Sequence, residues 1–174
     1  SSDLFSRAKW LNVMGVNAVV LIYRLPKSPD LVEPAKAPLQ DAQRAMKIIR
    51  SHAKEWGINA DKVGVMGSSA GGHVAAMLGT DNDDVSVVDD ALDRFSFKPD
   101  FMILVSPVIS MGEYAHKGSR KSLLGEKPSK ELIKKYSAEL QVTPMTPPCF
   151  IADAFNDHVV DPHNSLLFYQ ALLD

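Results

Sequence analysis

Lys62-Val63-Gly64-Val65-Met66-Gly67-Ser68-Ser69-Ala70-Gly71-Gly72-His73 is the stretch on which the reading of this chain turns. Lys62 to Met66 is short, apolar and β-branched, and reads as a buried strand. A helix then starts just after Ser69 and runs through Ala75, Ala76 and Leu78 to about Gly79. Between them, Gly67 to Gly71 spells G-x-S-x-G in the setting that gives this pattern chemical meaning: strand, sharp turn, helix. In this reading the flanking glycines Gly67 and Gly71 let the backbone turn tightly, so that Ser69 stands above the sheet edge. Its hydroxyl then faces a helix N-terminus, whose dipole favours nearby negative charge. The Ala70 N–H becomes the natural first donor to an oxyanion. A plain Gly/Ser turn is the competing reading, since short runs of this kind are common. A dinucleotide or phosphate loop fits worse, because G-x-G-x-x-G and a Gly-Lys-Ser/Thr ending are both missing.

Working outward, residues 3–14 place Leu4, Ala8, Leu11 and Met14 on one helical face, with Gly15 as C-cap. Asn17 to Arg24 is expected as a strand buried on both faces, ending at Pro26 and Pro29. From Pro38 to Trp56, Leu39, Ala42, Met46, Ile49, Ala53 and Trp56 recur by threes and fours, the pattern of a core-facing helix. Asp41, Arg44, Lys47, Arg50, Lys54 and Glu55 lie on its other side, expected as a solvated face. Asp81 to Asp93 holds six aspartates without the Gly and terminal Glu of a calcium loop, and reads as a solvated loop. Asp100 to Val105 and Phe150 to Ala154 complete the strands. Between them lies an excursion with a short helix near Ser129 to Tyr136. Asp161 and Pro162 then cap a last helix through Leu173. Strands alternating with helices predict an α/β domain over residues 1–174, a mostly parallel sheet with helices on both faces.

Charge narrows the partners. With 19 basic and 21 acidic residues the net charge is −2, and no basic run invites nucleic acid or an anionic membrane. Apolar runs such as Ala18 to Tyr23 are far shorter than the ~20 residues that span a bilayer. Cys149, the single cysteine, makes an internal disulfide impossible and reads as a buried structural thiol. The chain opens on Ser1, Ser2 and Asp3, without the basic and apolar regions of a signal peptide.

A serine nucleophile needs a base, and the base an orienting acid. On a strand–turn–helix serine the acid follows in sequence and the histidine comes last. Phe150 to Asn156 leads into Asp157, the expected acid; Asp153, read as lying within the strand, and Asp161, read as a helix cap, are its rivals. His52 and His73 precede the acid, His116 lies in the excursion, and His158 and His163 follow it too closely. None is placed to be the base, and each reads as structural or superficial.

The motifs now in place resemble the carbohydrate-esterase branch of the α/β hydrolases. The likeness rests on Gly67 to His73 (GSSAGGH), Tyr23 to Pro26 (YRLP) and Pro38 to Ala45 (PLQDAQRA). Arg120 to Gly125 (RKSLLG), Leu140 to Pro148 (LQVTPMTPP) and Asn156 to Ser165 extend it across essentially the whole chain. The resemblance implies an acetylxylan- or feruloyl-esterase-like enzyme acting on carbohydrate esters, with no metal or organic cofactor, and a secreted or periplasmic location. It also implies that the first strands, an HGGG-like loop with a second oxyanion donor, and a last strand with the catalytic histidine lie outside this stretch. Asp153 stands where relatives often have His, and Asn156 where Asp is common. Two other readings remain: a non-catalytic hydrolase-like scaffold or binding domain, and a lipase or peptidase on the same fold, the lipase disfavoured by the lack of a long hydrophobic lid.

Overall fold

The computed structural model describes residues 2–174, with side chains from residue 5 onward. Three parallel strands, β1 (Val65–Ser68), β2 (Met102–Pro107) and β3 (Cys149–Ala152), form one sheet with β2 in the centre. Gly67 lies opposite Leu104, which lies opposite Ile151. All three strands therefore release their C-terminal ends at one edge. Asp100 starts the pairing from outside β2: its N–H donates to Val63 O at 2.9 Å and its carboxylate accepts the Val63 N–H at 2.7 Å.

Among the described residues six α-helices accompany the sheet: α1 (Ser2–Val13), α2 (Ala37–Ser51), α3 (Ser69–Thr80), α4 (Lys117–Leu124), α5 (Lys130–Lys135) and α6 (His163–Leu173). Helix α3 lies directly on β1 and β2, with α2 behind it and α6 against β2 and β3. Leu39 and Met46 of α2, Ala75 and Leu78 of α3, Met102 and Leu104 of β2, and Phe168 of α6 are buried in one apolar cluster. Gly79 makes this contact close, since a Cβ there would stand 2.2 Å from Met102 Sδ. Across the sheet Phe101 and Phe150 are exposed. Helix α1 ends where expected, at Gly15 with φ +76°. Its Met14 is exposed, however, and the Leu4 side chain lies outside the described residues.

Several sequence expectations need correction. Residues 17–24 take no regular secondary structure and pair with no strand among those described, and Val19 and Ile22 are 62% and 84% exposed. A β-branched run is a buried strand only where a neighbour takes up its backbone groups. Here Arg24 anchors the end of the run, its N–H and guanidinium both meeting the Asp41 carboxylate at 2.7 Å. Helix α2 stops at Ser51, whose hydroxyl donates to Ile48 O at 2.8 Å and so competes with the backbone ladder. Trp56 therefore lies beyond the helix and stacks on His52 at 5.0 Å. Of the charged side, Lys54 and Glu55 just past α2 are exposed as expected, but the side chains within the helix are largely covered. Lys47 is wholly buried between Asp84 at 2.7 Å and Asp93 at 2.8 Å, and Arg44 pairs with Asp90 and Asp93. The acidic segment is thus a lid over that face. The buried Gln43 amide fastens it further, donating to Asp83 O and accepting from Val85 N, each at 2.8 Å. Helix α4, capped by His116, lies within the excursion, where the sequence reading places only the helix near Ser129 to Tyr136.

Candidate active site

The turn between β1 and α3 places Ser69 at φ +52°, a left-handed conformation that a residue with a Cβ adopts only when its surroundings impose it. Those surroundings are visible. Ser69 O accepts the Val108 N–H at 3.0 Å, bridging the turn to the end of β2. A Cβ on Gly67 would stand 2.2 Å from Gly71 O, and one on Gly72 would stand 2.7 Å from Pro107 Cβ. Gly71 has open space around it. So the close approaches need Gly67 and Gly72, while the left-handed turn is made by the serine itself and not by the glycines beside it. Ser69 and Ala70 are exposed at the sheet edge, and the Ala70 N–H opens the first turn of α3.

Asp157 follows β3 at the same edge, separated from the Ser69 strand by β2. Its Oδ1 accepts the Val159 N–H at 2.8 Å and the Val160 N–H at 3.0 Å. Those two backbone donors, with lesser help from Ser106 and His158, hold the carboxyl below its ordinary range. It is thus ionised at neutral pH and able to orient an imidazole. The cap position of α6 falls on Pro162, not Asp161 as expected; Asp161 lies just before it and its carboxylate accepts the His163 N–H at 2.9 Å. Asp153 lies one residue past β3 and is occupied by its own contacts. Oδ1 accepts from Ser106 Oγ at 3.1 Å and from Ala154 N at 2.8 Å, and Oδ2 accepts from Ser165 Oγ. No sequence signal marks Ser106, because both its φ of +42° and its partner 47 residues away arise only in the folded chain.

None of the histidines hydrogen-bonds Asp157 among the described residues. His73 is buried, and Nε2 donates to Tyr136 O at 2.8 Å; burial lowers its pKa and keeps it neutral. His163 gives Nδ1 to Asp161 at 2.7 Å and stacks on Tyr114 at 4.3 Å. His116 accepts the Ser119 N–H, and His52 stacks on Trp56. Cys149 is half-buried, and that burial raises its thiol to about 11, so it is no nucleophile at neutral pH.

Two cavities lie near these groups, one bordering the turn at Ala70 and the other bordering the Asp157 loop. A largely apolar one of about 220 Å³ is lined by Ala70, Val74, Tyr23, Leu25 and Leu123 among others. A wider one of about 760 Å³ is lined by Asp157, His158, Tyr114 and Lys117 among others. His116 and Gly118 border both. No group of His, Cys, Asp and Glu suited to a metal ion occurs among the described residues. No described helix is long and apolar enough to cross a membrane.

A parallel sheet releasing a left-handed serine into a helix N-terminus, with an ionised carboxylate two strands away, is the architecture of the α/β hydrolases. The chain belongs to the BD-FAE family within that fold, matching it over residues 13–172. It is 41% identical over 158 residues to "Endo-1,4-beta-xylanase B" of Butyrivibrio fibrisolvens, covering 91% of this chain and 25% of that protein. It is 34% identical over 173 residues to an acetylxylan esterase of Xylanibacter ruminicola, covering 97% of this chain and 33% of that one. Among solved structures it is similar to an acetyl ester-xyloside bifunctional hydrolase from Caldicellulosiruptor lactoaceticus. That match has a TM-score of 0.87 and 41% identity, over 97% of this chain and 60% of that one. A carboxylesterase from Lactobacillus plantarum matches at a TM-score of 0.76 and 27% identity, again over 97% and 60%. The chain therefore spans a quarter to a third of these two sequence relatives.

Proposed function

We propose that this protein is a serine carboxylic-ester hydrolase that removes acyl groups, acetyl foremost, from plant polysaccharide. The observation that carries the reading is Ser69, exposed and held at φ +52° where β1 meets α3. In the reaction Ser69 Oγ attacks the ester carbonyl, and the Ala70 N–H at the positive end of α3 receives the developing oxyanion. The sugar hydroxyl leaves with a proton from the base, and water then resolves the acyl-enzyme. Asp157 orients the imidazole that serves as base. None of the five histidines hydrogen-bonds Asp157 among the described residues, and the family resemblance implies a base from outside this stretch. The apolar cavity beside Ala70 suits an acyl group, and the wider one beside Asp157 suits the alcohol portion. The carbohydrate preference rests on the named relatives.

Hydrolysis of p-nitrophenyl acetate and of acetylated xylan by the complete protein, with Ser69→Ala beside the parent, tests this directly. The substitution is expected to lower kcat by about 10³-fold or more; a variant that keeps its rate removes Ser69 from the mechanism. One observation favours a non-catalytic binding domain instead, namely that no imidazole meets Asp157 among the described residues. Fluorophosphonate labelling separates the two, because only an activated Ser69 is labelled.

A further inference from the structure

Ser106 lies at the C-terminal end of the central strand, between the nucleophile turn and the acid loop. Its φ of +42° makes it one of three non-glycine residues in the left-handed region among those described, and Ser69 is another. Pro107, next in sequence, forms the bridge to Ser69, and the following Val108 N–H donates to Ser69 O. On its other side the Ser106 hydroxyl donates to Asp153 Oδ1 at 3.1 Å. The Asp153 carboxylate also takes the Ala154 N–H at 2.8 Å and the Ser165 hydroxyl of α6. Three donors from β2, the acid loop and α6 thus converge on one side chain. Four residues further along the same loop is Asp157.

Resting on the hydrolase reading above, we infer that Ser106 and Asp153 are a positioning pair for Asp157. They tie the loop that carries the acid to the strand end that carries the nucleophile's bridge. The pair fixes the distance between two chemical groups that arise from different strands, and small displacements there are costly in rate. The Ser106 hydroxyl is also among the lesser groups that hold the Asp157 carboxyl below its ordinary range.

Ser106→Gly separates this role from simple structural support, because it deletes the hydroxyl while relieving the left-handed backbone. With the complete protein, Ser106→Gly and Asp153→Ala are each expected to lower kcat about 10-fold or more, with KM within about twofold. The double variant should be no slower than the worse single one, as for residues acting as a unit. Amide hydrogen exchange at Val159 and Val160, which donate to Asp157, should quicken in both single variants while exchange within α2 stays unchanged. Wild-type kcat in Ser106→Gly, or unchanged exchange at those two amides, overturns the pair. The exchange measurement needs no turnover. It therefore judges the pair even if Ser69→Ala shows that the hydrolase reading is wrong.

Discussion

At the scale of single residues, the turn carrying Ser69 is a set of forced contacts whose costs can be ranked. Gly67 and Gly72 face backbone and a proline ring at distances no Cβ tolerates, whereas Gly71 faces open space inside a helix. Gly67→Ala and Gly72→Ala are therefore expected to destabilise by about 1–3 kcal/mol each. Gly71→Ala is expected to stabilise by about 0.5–1 kcal/mol, since it lowers the entropy of the unfolded chain at a position with helical backbone. Urea titration of the three variants checks this order; a Gly71→Ala loss as large as the other two would contradict it. Much of this was legible beforehand. The G-x-S-x-G pattern after a β-branched run points to a strand–turn–helix at Ser69, which the structure has; the choice of Asp157 as the acid rests on chain order. The part that Gly72 plays was not, because its contact is Pro107, 35 positions away, and spacing within a motif carries no record of a partner from another strand. Ser106 stayed hidden for the same reason.

At the scale of elements, α2 shows how periodicity can be right about one face and silent on the other. Leu39, Ala42 and Met46 face the core as their spacing requires. The charged stripe follows the same period, yet spacing alone does not tell whether water or another segment covers it. Here the acidic segment covers it, with buried Lys47 at the centre. Burial pulls the Lys47 ammonium down, but its hydrogen bonds to Asp84 and Asp93 outweigh that and leave it above its ordinary value. Asp93 falls to about 2, chiefly through its hydrogen bond to Lys47. A carboxyl lowered in the folded state adds stability above its unfolded pKa, about 3.9, and that stability is lost as pH falls through the folded value. Unfolding midpoints measured from pH 6 downward should thus decline between about pH 4 and pH 2, and Asp93→Asn should flatten that decline. Lys47→Ala, which strands two carboxylates and empties a filled space, is expected to cost about 2–4 kcal/mol. A variant with parental stability would mean that the stripe is solvated after all.

At the scale of the whole molecule, the three-stranded sheet presents unpaired backbone and apolar side chains at its margins. The chain order made the parallel α/β arrangement legible, because strands separated by helices leave few alternatives. It did not reveal that residues 17–24 lack a strand beside them among the described residues, since a β-branched run reads the same whether or not its neighbour is there. Val19, Ile22 and Leu25 along that segment are well exposed, as are Phe150 on edge strand β3 and Phe155 just beyond it. An exposed apolar run and an open sheet edge of this kind invite pairing with another chain. The 174-residue chain by itself is therefore expected to self-associate reversibly at concentrations of tens of micromolar, on the order of weak apolar contacts. Ile22→Lys and Phe150→Lys together should restore a monomer, because neither side chain contributes to the buried cluster. Sedimentation velocity over a range of concentrations reads both outcomes, and a parent chain that stays monomeric throughout would show that these margins do not pair.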